Sequence, residues 1–456
     1  MRRAAVVFVI ALAVYALTMY RTVGPTDSGE LTVAAQTLGV AHPPGFPLYV
    51  LVTHLFTLVP LGDVAVRANF ASAFFAALAA AAMTFIADDF LIAIALGFFL
   101  AFSRTLWAYA SVAEVYALNT FLSVAMLVLV VRWRRTRDVR FLRFAALALG
   151  LALAVHYVTA GIVAIGGAIL IGRVRLRDVV PFVLAGLMLY AYLPIAASRD
   201  PAMNWGNPTT LQRFIDHVSG KQYQQYIAGE LQFARPAKIV VREFPFVAIA
   251  GVIGLALLFR RDRRLFVALA AIIAVNAAWV IVYPIKNDLD AYLIPLFIAL
   301  IVAVPRELRT FLPLIVVVTF ITSYQNHARD TFARDRVEAV IAKAPPNATI
   351  VSGDWELISP MLLLHPERHV VQTGLLIRTW YLDQLERREH LDVSALRPWV
   401  AQWQRDGTAT QAVVLELNRF FYRLVTTRPV YVTRDVVATP QLRPAFEELQ
   451  NRGFIR

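Results

Sequence analysis

The chain has 456 residues, 59% of them hydrophobic, and a formal net charge of +13 that comes almost entirely from arginine, since only four lysines are present. Soluble domains average about 45–50% apolar residues, and here the charges are also segregated along the chain, which excludes a large soluble enzyme. The absence of cysteine excludes disulfides, thiolate metal sites and cysteine nucleophiles. The arginines lie in short groups between apolar runs, which is typical of membrane topology and not of nucleic-acid binding.

Eleven apolar runs approach the length of about 20 residues that a membrane-spanning helix needs. In chain order they are 4–20, 64–87, 90–103, 112–131, 141–155, 157–172, 179–197, 243–259, 265–284, 291–304 and 311–323. The first run could be a signal peptide, but no AxA-like cleavage pattern follows it and further runs do, so we interpret it as a retained helix. The sequence therefore predicts a polytopic α-helical membrane domain over residues 1–323.

The arginine groups predict an orientation, because cytoplasmic loops of membrane proteins are enriched in Arg and Lys. With the N-terminus in the cytoplasm, the cytoplasmic segments hold 17 arginines, and Asp88-Asp89 is the one segment without them. The loops at 21–63, 104–111, 198–242 and 285–290 then face outward from a cell inner (plasma) membrane. The C-terminal region is extracytoplasmic as well. Neither ATP nor a nucleotide-sugar is expected on that side.

Residues 324–456 change character and predict a soluble extracytoplasmic α/β domain. Amphipathic helices are predicted at Thr331–Ala342, Trp355–Leu364, Thr379–Arg388 and Ala395–Asp406. Short apolar runs predict four mostly parallel strands, at Ala348–Val351, His369–Val371, Ala412–Leu415 and Val430–Val432. Because no glycine-rich phosphate loop occurs, we do not interpret this domain as nucleotide-binding.

The first outer loop contains the most informative stretch, TDSGELTVAAQTLGVAHPPGFPLY from Thr26 to Tyr49. Asp27 and Glu30 follow the first span closely, so they are held near the membrane surface. Apolar residues at helical spacing from Leu31 to Leu38 predict a helix lying in the interface, and the three prolines of HPPGFP predict a rigid turn. Asp followed three residues later by Glu also fits a helix cap without any chemistry. Both interpretations remain open at this point.

Other polar residues of the outer side gather near the ends of spans. They are Arg67, Arg104, Glu114, His156, Arg199, Lys286, Asp288 and Asp290. Each has an ordinary alternative as an interfacial anchor or an ion-pair partner. Glu114 and His156 adjoin apolar runs, and ionisable groups at membrane depth usually face a cavity because burying them in lipid is costly. Trp107, Tyr109 and Tyr116 beside them fit an aromatic belt, with stacking on a sugar as the alternative.

Four segments together resemble a known family: DSGEL, GVAHPPGFPLY, VRANFASAFFAAL and LWAYASVAEVYALN. They are similar to the transmembrane protein 260 type, also called glycosyltransferase family 117, whose animal member is a protein O-mannosyltransferase. The resemblance covers about residues 20–160. It continues more weakly through the NWGNPTT loop and KNDLDAY, and faintly to RTWYLDQL.

The resemblance implies a C-type glycosyltransferase, a polytopic enzyme that takes sugars from polyprenyl-phosphate carriers and uses an acidic residue on its first outer loop. Asp27 falls where that acid belongs, with Glu30 as its catalytic neighbour. The matching motifs also supply candidates for substrate binding, which are His42, Trp107, Glu114, Tyr116 and Asn119. The C-terminal region diverges most, so the resemblance does not identify the acceptor.

The resulting hypothesis is transfer of a sugar, with mannose as one candidate, from a polyprenyl-phosphate donor to an extracytoplasmic hydroxyl of a protein Ser or Thr, a glycan or a lipid. Asp27 would act as the general base, and membrane lipids surround the enzyme. The donor phosphate would be stabilised by Arg67, Arg104, His156 and Lys286. No cofactor or nucleic-acid partner is expected. No metal site is predicted, although a need for a divalent metal stays an open alternative. A transporter or flippase of a lipid-linked glycan is the main alternative, disfavoured because internal repeats are lacking, and a non-catalytic scaffold is a third.

Overall fold

The computed structural model describes residues 1–224, 227, 231–243, 245–283, 287–406, 411–438 and 443. Helices make up most of the first 323 residues. They are α1 Arg2–Thr18, α2 Ser28–Thr37, α3 Pro47–Thr57, α4 Val64–Met83, α5 Phe90–Ala101, α6 Arg104–Ala110, α7 Tyr116–Thr136, α8 Val139–Ile171, α9 Val180–Leu187, α10 Tyr192–Ser198, α11 Leu211–Val218, α12 Lys221–Gln224, α13 Ala234–Glu243, α14 Pro245–Arg261, α15 Arg263–Val282, α16 Leu289–Tyr292, α17 Ile294–Ala303 and α18 Leu312–Ser323. Short 3-10 helices lie at Leu176–Asp178, Met188–Ala191 and Arg306–Leu308.

Length and composition make the chain a multi-pass membrane protein. Among the described residues, five helices can cross a membrane, which are α4, α7, α8, the continuous segment Val180–Ser198 and α15. The number rises to seven if the bent pairs α5 with α6 and α13 with α14 each form one span. Helices α1, α17 and α18 have only 17, 10 and 12 residues. The prediction of eleven spans is therefore not confirmed.

Helix α8 contains both of the spans predicted at 141–155 and 157–172, and it turns back on itself at His156. The backbone of His156 is not helical, with φ −147° and ψ 96°. A straight helix would carry residue 171 about 42 Å from Arg143. Yet Arg143 binds Asp178 at 2.7 Å, and the chain from residue 171 to Asp178 can cover at most about 25 Å. Helix α8 is therefore not straight. Both halves pack along α7, with Ala152 at Asn119 before the bend and Gly167 near Met126 after it, so they run in opposite directions with His156 at the apex.

The arginine groups collect at one end of the helical bundle, where they bind acidic side chains. Asp88 accepts a hydrogen bond of 2.7 Å from Arg135, and Asp89 lies 3.3 Å from Arg309. Further pairs at this end are Arg134–Asp262 and Arg261–Glu307. The aspartates that interrupt the positive-inside pattern are thus neutralised by arginines from other helix ends. The membrane side that this end faces stays a prediction.

The C-terminal region forms a small parallel sheet with helices around it. Its elements are α19 Phe332–Ile341, β1 Thr349–Ser352, α20 Trp355–Leu364, β2 Val370–Gln372, a 3-10 helix at Thr373–Leu375, α21 Thr379–Glu389, α22 Arg397–Asp406, α23 Gln411–Thr427, β3 Val430–Val432 and α24 Arg434–Val437. The strand order is β2-β1-β3, all parallel, with Ile350 paired to Val370 and to Tyr431. Three predicted strands are confirmed. The strand predicted at Ala412–Leu415 is wrong, because this short apolar run belongs to α23.

Two helices of the C-terminal region pack directly on the membrane part. Ser359 of α20 accepts a hydrogen bond of 3.0 Å from the backbone N–H of Glu30, and Arg388 of α21 binds Asp200 at 2.6 Å. Helix α2 is consequently buried on every side from Ser28 to Ala35. Helix α20 covers the outer face of α2, and the position of α2 in the membrane interface stays a prediction. That the C-terminal region is a separate soluble domain stays a prediction.

Candidate active site

A cavity of about 880 Å³ opens between the first outer loop, the start of α7, the apex of α8 and the loop before α16. Asp27, Glu114 and Asp288 supply carboxylates to its wall, and His42 and His156 supply imidazoles. Its aromatic lining consists of Phe46, Tyr116, Tyr157, Tyr223, Trp279, Tyr283 and Tyr292. The cavity thus combines a broad apolar surface with a few convergent titratable groups, as ligand sites of enzymes do.

Asp27 is oriented by a residue of the C-terminal region. It occupies the N-cap position of α2, yet its side chain makes no capping hydrogen bond. Instead Oδ1 accepts a bond of 2.5 Å from Nε1 of Trp355, while Oδ2 lies 3.8 Å from Nε2 of His42. Its side chain remains 21% exposed. The capping alternative is therefore wrong, and the carboxylate is free to face the cavity.

Glu30 and His42 form a buried pair behind Asp27. The backbone N–H of His42 donates to Oε1 of Glu30 at 2.6 Å, and its Nδ1 lies 2.7 Å from Oε2. Burial lowers the pKa of His42, but the charges of Glu30 and Asp27 outweigh it and raise the pKa to about 9. Burial also raises the pKa of Glu30, although His42 opposes that shift. Glu30 therefore positions a cationic His42 and does not line the cavity.

The HPPGFP segment forms a turn, as its prolines predict, and this turn brings His42 back to Glu30. The backbone N–H of Gly45 donates to the carbonyl of His42 at 2.8 Å. Gly45 has φ +92°, and a Cβ there would lie 2.7 Å from Leu193 and 3.0 Å from His217. A side chain at this position would meet both a strained backbone and two neighbours. Helix α3 then begins at Pro47, where the fixed φ of proline is favourable.

The carboxylates of Asp27, Glu114 and Asp288 converge, with ligand oxygens within 4.8 Å of one another. Burial, followed by the charge of Asp27, raises the pKa of Asp288 to about 7. Burial, followed by the charge of Asp288, raises the pKa of Glu114 well above its usual range. Such oxygens suit a hard divalent cation, and Asp27, Glu30 and His42 form a second set of comparable spacing. The expected absence of a metal is not tested by these contacts.

The four predicted phosphate-binding residues have different positions. His156 lines the cavity and is 5% exposed, with Nδ1 2.9 Å from Oγ1 of Thr159. Arg67 instead donates to the backbone carbonyls of Thr57 and Val59 at the end of α3. Arg104 starts α6 and, like Arg67, is not among the described residues that line the cavity. The prediction for Lys286 lies outside the described residues.

The predicted substrate-binding residues also divide. His42, Glu114 and Tyr116 line the cavity. Asn119 lies deeper and donates to the carbonyls of Ala152 and His156 at 2.8 and 3.2 Å, which compensates the hydrogen bonds that α8 loses at its turn. Trp107 is fully buried in the helical core, where its Nε1 donates to Thr18 at 2.9 Å.

Sequence reasoning missed several residues around Asp27. Trp355 and Ser359 belong to a predicted helix, but no local pattern links them to a loop about 330 residues earlier. Tyr223 and Tyr283 also line the cavity without having been singled out. A tryptophan immediately after the N-cap of α20, where Asp354 caps the helix, is the one signal that could have drawn attention to Trp355.

Comparison with solved structures defines the class of the fold. The crystal structure of ArnT from Cupriavidus metallidurans bound to undecaprenyl phosphate superposes with a TM-score of 0.57 at 15% identity, covering 82% of this chain and 91% of ArnT. The apo structure of the same protein gives 0.56 at 13% identity, with 82% and 90% covered. The chain thus shares the polytopic fold of ArnT, which agrees with the C-type glycosyltransferase fold that the sequence resemblance implies.

Sequence comparison specifies the family over part of the chain. Residues 27–177 match the family profile described as "Protein O-mannosyl-transferase TMEM260 N-terminal domain", which confirms the resemblance for that segment. Protein O-mannosyl-transferase TMEM260 of Mus musculus is 33% identical over 242 residues, 49% of this chain and 34% of the relative. The Dictyostelium discoideum protein of the same name is 26% identical over 288 residues, 55% and 35%. The chain spans about a third of the length of these relatives.

Proposed function

We propose that this protein is a membrane glycosyltransferase that moves a sugar from a polyprenyl-phosphate donor to a hydroxyl group on the extracytoplasmic side, with Asp27 as the general base. One observation carries the proposal: the carboxylate of Asp27 faces a large aromatic cavity and is held there by Trp355 and His42 instead of capping its helix. A carboxylate oriented by two side chains beside a cavity is the arrangement that general-base catalysis requires.

The shape of the cavity supports a lipid-linked donor. Its walls include residues of α7, α8 and α15, which are long and apolar enough to cross a membrane. A polyprenyl tail can therefore stay in the bilayer while the sugar phosphate enters the cavity at the interface. The structure of ArnT with undecaprenyl phosphate, on the same fold, supports this assignment.

The chemistry requires one base and no acid. The acceptor oxygen attacks the anomeric carbon as Asp27 removes its proton, and the bond from that carbon to the phosphate oxygen breaks. The leaving phosphate is a weak base and departs without a proton. Leaving groups in most glycosidases must be protonated, so those enzymes use a second carboxyl group as an acid. His42 and His156 are the imidazoles that line the cavity among the described residues, and a cationic His42 would stabilise the charge of the phosphate.

The names of the relatives support mannose as the sugar and a protein Ser or Thr as the acceptor. The direct test is incubation of the purified protein with polyprenyl-phosphate mannose and serine- or threonine-containing peptides, with mass spectrometry of the products. Detection of donor translocation without any transfer would favour the flippase alternative.

Asp27→Asn tests the base. Asparagine keeps an oxygen that can accept from Trp355, so expression and folding should be preserved. An amide cannot take the acceptor's proton, and we expect transfer to fall by about 10²–10⁴-fold. Asp63→Asn is the matched control, because Asp63 caps α4 through Ala65 N–H and does not line the cavity. Near-normal transfer by Asp27→Asn would refute the assignment and direct attention to Glu114 and Asp288.

A further inference from the structure

A second cavity of about 330 Å³ lies beside the first, between residues 205–222 and helices α21 and α22. Pro43 lines both cavities. Trp205 lies at the junction, with its ring centroid 6.1 Å from that of His42 and 5.1 Å from that of Trp355. These are the two side chains that contact Asp27. A ligand in the second cavity would therefore lie one layer of side chains away from the proposed base.

Indole rings dominate the apolar surface of the second cavity. Trp205 and Trp380 pack with ring centroids 5.6 Å apart, and Trp403 completes the set from α22. Trp380 and Trp403 are only half-buried, so both rings have surface left for a ligand. The cavity thus offers flat, rigid aromatic faces that need little ordering on binding.

Most polar side chains that line the second cavity have partners within the protein, and the exception among the described residues is His217, whose two ring nitrogens are buried without a hydrogen-bond partner. Arg213 binds Asp383 at 2.7 Å, and Lys221 lies 3.2 Å from Asp216. Gln222 accepts a hydrogen bond of 3.2 Å from Trp205, and Arg378 stacks over Trp403 at 5.7 Å. A saccharide would need many unoccupied partners for its hydroxyls. An extended polypeptide containing proline instead presents apolar faces without internal hydrogen bonds, and aromatic-lined grooves recognise such segments.

We propose that the second cavity binds the acceptor polypeptide and holds a proline close to the serine or threonine that receives the sugar. This inference rests on the proposed glycosyltransferase function. The lipid-linked donor fills the large cavity from the membrane helices, so the acceptor approaches Asp27 from the side of Trp205. Trp380 lies two ring contacts from Trp355, on the order of 10 Å, and an extended chain rises roughly 3.1 Å per residue. The proline should therefore lie about three residues from the acceptor hydroxyl.

The kinetic test uses the full-length protein, polyprenyl-phosphate mannose and peptides with one threonine. One peptide carries proline three residues from the threonine, and its partner carries aspartate there. For the proline peptide, Trp380→Ala should raise KM about tenfold or more, since truncation of a central tryptophan is typically that costly. The kcat value and hydrolysis of the donor by water should not change. Trp399→Ala is the control, because Trp399 shares α22 with Trp403 but is not among the described residues that line this cavity.

The inference would be overturned if Trp380→Ala and Trp399→Ala gave the same KM, or if the wild-type protein did not distinguish the two peptides. The inference would also be overturned if the protein transferred the sugar to a free oligosaccharide and Trp380→Ala raised the KM for that oligosaccharide. The second cavity would then be assigned to a saccharide. If Trp380→Ala fails to fold, the peptide comparison on the wild-type protein still decides. Absence of donor turnover would reject the proposed glycosyltransferase function but not the peptide-binding inference.

Peptide binding can then be tested by photo-crosslinking of a benzophenone-labelled peptide. Attachment at 205–222 or 379–403 is expected, and attachment elsewhere would contradict the inference.

Discussion

The hydrogen bond from Trp355 to Asp27 can be removed while the aromatic ring is kept. Trp355→Phe retains a ring against Trp205, whose centroid is 5.1 Å away, but has no N–H to donate to Oδ1 of Asp27. A hydrogen bond to a charged group contributes roughly 1.5–3 kcal/mol. Asp27 is 21% exposed, so water can replace part of the bond and the lower figure applies. About 1.5 kcal/mol corresponds to a loss of roughly tenfold in kcat.

The assay is single-turnover transfer from polyprenyl-phosphate mannose by purified variants, so that chemistry is separated from product release. Trp107→Phe is the matched control, since it loses a comparable bond, to Thr18, in the helical core. It should leave kcat unchanged. A Trp355→Phe rate within twofold of that control would show that Asp27 does not depend on the C-terminal region for its orientation. A loss beyond a hundredfold would show that Trp355 does more than position the base.

Three further results are expected. Glu30→Gln removes the charge that keeps His42 cationic, so transfer should fall by about tenfold. This loss is smaller than the one expected for Asp27→Asn, and an equal or larger loss would assign the base to Glu30. The KM for the donor should rise as the pH increases through about 7, because the pKa of Asp288 is about 7 and its ionisation adds a negative charge to the cavity proposed for the donor phosphate. Asp288→Asn should flatten that profile, and an unchanged profile would contradict the role of Asp288. Reporter fusions should place Arg135 in the cytoplasm and Gly220 outside, and a shared side would refute the topology.

Local signals in the sequence predict the elements that depend on local physics. Apolar length predicts the helices of the membrane part, and the amphipathic pattern identifies α19 to α22 within two residues at each end. Even the apex of α8 falls between two predicted spans, at His156. The strand expected at Ala412–Leu415 is wrong because a run of four apolar residues fits a buried strand and a short stretch of helix equally well. Length and flanking residues decide such cases, and α23 continues to Thr427.

The candidate site was only partly predictable, because several of its residues come from segments that are distant in sequence from Asp27. Asp27 and Glu114 were found from their position next to apolar runs, and both line the cavity. The pattern from Leu31 to Leu38 predicts a helix by its apolar spacing, but it cannot show that α20 of the C-terminal region packs on that helix. Arg67 was favoured as a cation near the outer side, yet its guanidinium is occupied by the backbone at the end of α3. Charge and membrane depth alone do not indicate which carbonyls a side chain will reach.

Close contact between α2 and α20 explains how the site joins the two ends of the chain. A Cβ on Gly29 would lie 2.1 Å from the carbonyl oxygen of Ser359, so only glycine permits this approach. Residues four apart share one face of a helix, and Trp355 therefore reaches Asp27 while Ser359 meets the N–H of Glu30. The same helix pair thus fixes both the position of the C-terminal region and the orientation of the proposed base. Any displacement of α20 would also move the N–H group that holds the carboxylate of Asp27 towards the cavity.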